Sequence, residues 1–371
     1  MYIFLYIFLF LLYIFFYNKR YKNSSRKNYI IIVTLVLSLV SALRHNGVGV
    51  DTYAYYMTFT DSKDLPWSYI WENIHSFFQG AMIKDPGYAL FTKIMGTILF
   101  DFNVYLFFVA LFFLSAIGHI LYKSVNYLFG YVISYSFYIS LLYGFFPNSA
   151  IRQTIAMAFL LWATIIYQNK HQKLIPVVFI VFAFLLHKSV LFGLIPLCLM
   201  FIKNTQLIYK GAIILMPLFF AVSYEFVELL ILLSGAEHYM QYIEGEGGTS
   251  VVFIVEMCFF YLIGFSALKY INNNSDYYQR LAFIAFALAI SIISFMRVDP
   301  SLQRLIAYFS IWGMVFLPNA LYAHKPLLRK ILIVCVLALC IGRTVLIPSP
   351  YKFFWQQMEL HDRYDRMYRY Y

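Results

Sequence analysis

Charge is what this sequence has least of. Of 371 residues only 12% are charged, whereas 62% are hydrophobic. A soluble domain carries about 25% charged residues, so a water-soluble globular chain is excluded. Cysteine is nearly absent as well. The four present, Cys198, Cys258, Cys335 and Cys340, all sit inside apolar runs, where they read as small hydrophobes rather than a disulfide framework. Nucleotide and metal signatures are missing too. There is no P-loop, which excludes an ATP-driven pump. No Asp-x-Asp occurs, which speaks against a metal-held nucleotide-sugar donor. Without His-x-x-x-His or Cys-x-x-Cys there is no metal-ligand spacing, so neither metal nor other cofactor is expected.

What is present is apolar and aromatic. Mean hydropathy is +0.72, and aromatic residues make up 21% of the chain. Continuous apolar runs recur from end to end, so the backbone must satisfy itself inside a bilayer, as helices. The expectation is an all-α polytopic bundle of about 12 transmembrane helices forming a single membrane domain over 1–371. Spans are marked at 1–17, 29–44, 103–122, 128–146, 149–167, 173–186, 188–203, 208–233, 251–270, 280–296, 303–322 and 328–346. Met1 to Phe16 lacks a basic leader and a small-residue cleavage site, so it reads as a retained span. No internal repeat is visible.

Basic residues fix the orientation. Lys19, Arg20, Lys22, Arg26 and Lys27 follow the first span with no acid among them, which makes that segment cytoplasmic. The other loops read as inside carry Lys123; Lys170 and Lys173; Lys203 and Lys210; Lys269 and Arg280; Lys325, Arg329 and Lys330. Of the 17 Asp and Glu, only Asp276 falls in an inside loop. Both termini then lie outside. So do the long 45–102 segment, the 234–250 loop and the 356–371 tail. Within 45–102, the run 87–100 is too short to cross and reads as an interfacial helix, with Pro86 and Asp85 at its start. The net charge of +11 is spread over many loops and forms no single face, so nucleic acid is not an expected partner.

Against this rule stand five arginines at the outer edge: Arg44, Arg152, Arg297, Arg304 and Arg343. A charge beside hydrocarbon costs about 2.5–3.5 kcal/mol, so each needs a partner. The partner is either an internal carboxylate, among Asp51, Asp85, Asp299, Glu225, Glu228 and Glu256, or an external anion. Arg152 opens a helix after Pro147-Asn148-Ser149, where unpaired N–H groups also favour an anion. Arg304 follows Pro300-Ser301 in the same manner. The two could cradle a diphosphate. For proton transfer there are two main candidates, with Asp85 and Asp299 behind them because capping or arginine pairing accounts for each. Asp51, behind Gly47 and Gly49, is either a general base or a turn cap. His187 is either a base or a structural histidine at a helix junction. The acidic, aromatic loop 234–250 suits a carbohydrate lid or an ordinary solvated loop.

Six stretches then carry a resemblance. They are Arg44…Val48-Gly49-Val50-Asp51-Thr52…Tyr55-Tyr56, Asp85-Pro86-Gly87-Tyr88, Arg152-Gln153-Thr154-Ile155-Ala156, His187-Lys188-Ser189, Arg304 with Tyr308-Phe309, and Ile347-Pro348…Pro350-Tyr351-Lys352-Phe353-Phe354-Trp355. In order and spacing the set resembles the EpsG-like family of bacterial polysaccharide polymerases, the Wzy type. This chain has Gly-Val-Asp where the family often has Gly-Thr-Asp, and Asp-Pro-Gly where it often has Glu-Pro-Gly. The resemblance implies a multi-pass glycosyltransferase of the bacterial inner membrane, with its active face extracytoplasmic. It would join undecaprenyl-pyrophosphate-linked oligosaccharide repeat units and release undecaprenyl pyrophosphate. Arg152, Arg304, Arg44 and Arg297 would then hold pyrophosphate, with Asp51 or His187 as base. A protein that regulates chain length is a further implied partner, beside the bilayer. Two other classes stay open: a flippase for lipid-linked oligosaccharide, and a membrane acyltransferase working through His187.

Overall fold

A computed structural model describes residues 1–81, 83, 85–170, 172–234, 251–270, 276–299, 302–347 and 350–358. Most of the 234–250 loop, Pro300-Ser301, Pro348 and the tail beyond 358 lie outside the described residues. All regular structure among the described residues is helical, apart from one isolated antiparallel bridge between Arg44 and Phe353. The first helices are α1 (Tyr2–Phe16), α2 (Asn23–Ala42), α3 (Thr52–Ser62), α4 (Trp67–Phe78), α5 (Pro86–Leu99), α6 (Phe102–Ser124), α7 (Leu128–Leu141), α8 (Ile151–Lys170) and α9 (Leu174–Leu186). They are followed by α10 (Ile195–Leu199), α11 (Thr205–Ala221), α12 (Ser223–Ser234), α13 (Val251–Ala267), α14 (Tyr277–Ser291), α15 (Gln303–Ser310), α16 (Gly313–Tyr322) and α17 (Pro326–Leu346).

Among the described residues, five stretches are by length and composition apolar enough to cross a membrane: Tyr2–Lys19, Asn23–Ala42, Phe102–Ser124, Val251–Tyr270 and Tyr277–Arg297. The number rises to 7 if two bent pairs each count as one span, α11 with Ser223–Leu229 (81°) and α15 with α16 (48°). The twelve spans expected from sequence therefore resolve here into five to seven. The difference has a physical cause. At 1.5 Å per residue, α7 with 14 residues and α9 with 13 reach only about 20 Å, short of a hydrocarbon core of about 30 Å. The run 208–233, read as one helix, turns sharply at Val222.

The chain divides into two compact units. Unit 1 comprises Met1–His119, Ile139–Leu191 and Arg343–Tyr371; unit 2 comprises Ile120–Tyr138 and Phe192–Gly342. In unit 1, α1 packs on α2, where the buried Tyr29 donates its hydroxyl to the Leu9 carbonyl at 3.1 Å. There α8 lies along α9, while α5 is held between α3, α4 and α9. In unit 2, Tyr209 of α11 and Tyr261 of α13 stack with ring centroids 4.5 Å apart. Each donates its hydroxyl to the other's carbonyl, at 2.8 and 2.6 Å. This satisfies two phenols whose desolvation would otherwise be costly.

The segment 45–102 holds more order than its polarity suggested. The expected helix at 87–100 is α5, but α3 and α4 precede it. Gly87 is required where α5 meets α9, since a Cβ there would lie 2.7 Å from Leu185 Cβ and 2.9 Å from its carbonyl carbon. Gly49 is required for two reasons. Its φ is +95°, and a Cβ would overlap the Asn148 carbonyl oxygen and lie 2.5 Å from Thr52 Oγ1. We expect Gly49→Ala to destabilise the protein by about 2–4 kcal/mol, combining left-handed strain with overpacking. The control is Gly211→Ala on α11, where a Cβ meets nothing within 4 Å and helix propensity improves by roughly 0.5–1 kcal/mol. Thermal unfolding in detergent checks both; equal midpoints for the two variants would contradict the tight approach at Gly49.

Candidate functional site

The site in unit 1 is assembled where several helices end. A helix C-terminus leaves four carbonyls without partners, and at α2 each finds one. Tyr351 donates to the Val40 carbonyl at 2.7 Å. Arg44 donates to the Ser41 carbonyl and, at 2.8 Å, to Ser41 Oγ. Asn103 Nδ2 serves Ala42, and the Phe354 amide serves Leu43 at 2.9 Å. A cation at a helix C-terminus is also favoured by the dipole. Arg44, expected to hold pyrophosphate, is thus 0% exposed. It donates through Nη2 to the Pro147 carbonyl at 3.3 Å. Burial lowers its pKa to about 10, so it remains charged at neutral pH.

From Arg44 the chain enters the glycine loop, which rests on the 147–149 turn. The Thr52 hydroxyl donates to the Asn148 carbonyl at 2.7 Å, and the Val50 amide donates to Ser149 Oγ at 3.2 Å. These bonds fix two things at once. They set the entry to α8, whose second residue is Arg152, and they set the start of α3, whose N-cap position is Asp51. The Asp51 carbonyl accepts from the Tyr55 amide at 3.2 Å. One turn into α3, the Tyr55 hydroxyl accepts from Arg152 Nε at 3.4 Å.

Asp85 is the hub. It occupies the N-cap position of α5 in the left-handed region (φ 51°, ψ 57°), and its side chain makes no cap bond. Instead the carboxylate, on a residue only 5% exposed, faces two cations-in-waiting. Arg152 Nη1 reaches Asp85 Oδ2 at 2.9 Å, and His187 Nδ1 lies 3.5 Å from the same oxygen. Left-handed backbone at a non-glycine residue costs about 1–3 kcal/mol and persists only where the surroundings hold it. Here Pro86, Arg152 and His187 surround it. Opposite a carboxylate, which only accepts, the neutral imidazole carries its proton on Nδ1. Nε2 is then the basic nitrogen, and it makes no hydrogen bond among the described residues.

Two tyrosines complete the shell. The Arg152 guanidinium carbon lies 5.6 Å from the Tyr55 ring centroid and 5.7 Å from that of Tyr88. The two rings meet edge to face at 5.7 Å. Burial holds the Tyr88 phenol well above its usual pKa, so it stays neutral. With Nε and Nη1 occupied, Arg152 Nη2 makes no hydrogen bond among the described residues. The Arg152 and His187 side chains are 20% and 21% exposed, so both remain open to a ligand.

The structure therefore brings Arg152 and His187 together through Asp85, and ties Asp51 to them through α3. Arg297 and Arg304 belong to unit 2. Arg297 is exposed and lies over the rings of Phe220 (4.7 Å) and Tyr224 (5.4 Å). Arg304 is exposed, at the second position of α15. Sequence reasoning ranked Asp85 low, as a cap or an arginine partner, and gave Tyr55 and Tyr88 no role. The signal available was the Asp-Pro-Gly-Tyr run itself, which places Asp85 and Tyr88 one helical turn apart. Among the described residues no group of three His, Cys, Asp or Glu is placed to hold a metal ion.

No curated protein matches the chain, and no solved structure matches it. A family model does, that of the EpsG family, over residues 27–356. The matched stretch runs from the second turn of α2 to the segment that caps its end, and so takes in every residue of the unit 1 site. Over nearly its whole length, therefore, the chain belongs to the EpsG family, which marks it as a membrane protein of polysaccharide biosynthesis.

Proposed function

We propose that the protein is a polysaccharide polymerase of the bacterial cytoplasmic membrane, with its active face extracytoplasmic. It joins oligosaccharide repeat units carried on undecaprenyl pyrophosphate. A hydroxyl of the acceptor unit attacks the anomeric carbon of the donor glycan. The bond from that carbon to the diphosphate oxygen breaks, and undecaprenyl pyrophosphate leaves with the bonding pair. The acceptor proton passes to a base. The single observation supporting this reading is the Arg152–Asp85–His187 constellation at the start of α8.

Each part suits one need of the reaction. Arg152 Nη2, at the positive end of the α8 dipole, favours the charge that develops on a diphosphate leaving group. His187 Nε2, with Nδ1 turned to Asp85, is suited to accept a hydroxyl proton. Asp51 is the alternative base, tested by Asp51→Asn. Arg44 enters by holding the 147–149 turn. Arg297 and Arg304 are proposed as pyrophosphate ligands on the same charge argument, each tested by its own alanine variant. A chain-length-regulating partner is part of the proposal.

The test is a gel of surface glycan from a deletion strain, complemented by the wild-type chain or by Arg304→Ala. A polymerase gives one repeat unit per carrier in the deletion strain, a full ladder with the wild-type chain, and loss of the long chains with Arg304→Ala. Surface glycan lost altogether would mean a flippase. Unchanged chain length with acyl groups missing would mean an acyltransferase.

A further inference from the structure

α4 is absent from any reading of the sequence and has no part in the proposed reaction. Its faces divide by chemistry. Ile70 is fully buried, and Phe77 lies 6.5 Å from Phe184 of α9, so this side packs on the protein. Ser68, Glu72, Ser76 and Gln79 recur at helical spacing on a second side. Between them lie Trp67, Trp71 and Phe78, within about 40° of one another at 3.6 residues per turn. These three are 43%, 57% and 69% exposed. Large aromatic side chains left open beside a polar stripe are unusual on a water-facing surface.

The position of α4 says what covers them. It packs on α5, whose N-cap residue Asp85 binds the first turn of α8 and the residue after α9. At the same end, Asn103 near the start of α6 bonds the last carbonyl of α2. α2 and α6 are both of membrane-crossing length. So α4 lies in the layer where hydrocarbon-spanning helices stop. Lysines sit in this layer too. The exposed Lys188 has its Nζ 5.0 Å from the Phe77 ring, while the buried Lys93 Nζ, 5.6 Å from the Trp67 ring, turns inward to donate to the Lys63 carbonyl at 2.6 Å. Tryptophan and lysine at the ends of spans are the composition of a membrane–water boundary, and an amphipathic helix there lies in the plane of the interface.

The geometry points to α4 as a membrane-interface helix that seats Trp67, Trp71 and Phe78 among the lipid headgroups and upper acyl chains. It thereby ties the 45–102 segment, including Tyr55 and Asp85, to the depth of the bilayer surface.

Depth-dependent quenching tests this on the full chain in bilayer nanodiscs. The chain has 5 tryptophans. Trp162→Phe, Trp312→Phe and Trp355→Phe together leave Trp67 and Trp71 as emitters. If that variant does not fold, the difference in quenching between wild type and Trp67→Phe/Trp71→Phe gives the same quantity. The expected result is loss of most of the Trp67 and Trp71 emission in bilayers brominated near the headgroup, a smaller loss with bromines deep in the acyl chains, and little loss with aqueous iodide. Strong iodide quenching without bromine quenching would overturn the assignment. So would protection from iodide by a soluble oligosaccharide, which would make the patch a sugar-stacking surface instead.

Discussion

Arg152→Ala is expected to end glycan elongation, leaving single repeat units on the carrier while the protein still accumulates. The guanidinium has two engagements to lose. Nη1 binds Asp85 and Nε binds the Tyr55 hydroxyl, while Nη2, at the start of a helix, makes no hydrogen bond among the described residues. Removing a preorganised donor from the site of developing charge lowers kcat by about 10²–10³. Arg152→Lys is expected to fail nearly as fully, because an ammonium cannot hold Asp85 and Tyr55 while also presenting a fork to a diphosphate. Tyr55→Phe keeps the ring and loses the long hydrogen bond from Arg152, so it should cost about tenfold, or roughly 1.4 kcal/mol, in kcat with KM little changed. Stability must be separated from chemistry. Deleting Arg152 takes the guanidinium from the Asp85 carboxylate, which for a fully buried pair would cost about 3–5 kcal/mol. With the Arg152 side chain 20% exposed, the cost falls to roughly 1–2 kcal/mol once solvent screening is included. Arg152→Ala/Asp85→Asn should therefore recover the protein level of the single variant without recovering elongation. A wild-type ladder from Arg152→Ala or Arg152→Lys would remove the proposed role of this arginine.

What the sequence disclosed and what it hid divide along a physical line. Local, periodic features were legible. The five membrane-length helices appear where continuous apolar runs predicted them, and α5 begins at Pro86 as the Asp-Pro pair indicated. Features set by distant partners were not. Arg44 looks in sequence like a charge left at a membrane edge. Its burial follows from Asn103 and from residues 351–354 returning to cap α2, contacts no spacing rule encodes. Asp85 read as a cap or an arginine partner because Arg152 and His187, which meet at its carboxylate, lie 67 and 102 residues away. α3 and α4 escaped notice because each is 11 or 12 residues long, rich in tyrosine and tryptophan and mixed with polar residues. They gain their stability from packing on α5, not from a strong pattern of their own. The bends in α11–α12 and α15–α16 were hidden because hydropathy reports composition, not direction.

Asp85 and His187 should behave as one device, and a double-variant cycle can show it. If Asp85 fixes the imidazole with its proton on Nδ1, then Asp85→Asn lets the ring turn or take the other tautomer, and Nε2 is no longer presented as a base. Comparable loss of an orienting carboxylate lowers kcat by about 10⁴ in a hydrolase triad; the 3.5 Å separation here and the partial exposure of His187 argue for less, about 10²–10³. His187→Ala should cost a similar factor. The decisive quantity is the combination. Two independent contributions would multiply, whereas an orienting group and the base it orients share one contribution. Asp85→Asn/His187→Ala is thus expected to be slower than His187→Ala alone only by what Asp85 contributes through Arg152, well short of the product of the two single losses, when repeat-unit joining is timed on lipid-linked substrate. A sham version of this result is possible if Asp85→Asn merely loosens α5, so the cycle is read alongside Asp85→Glu. That variant keeps the carboxylate on a longer arm at a backbone of φ 51° and should retain part of the rate. Multiplicative losses would instead separate the two residues and return Asp51, at the head of α3, as the base to be tested next.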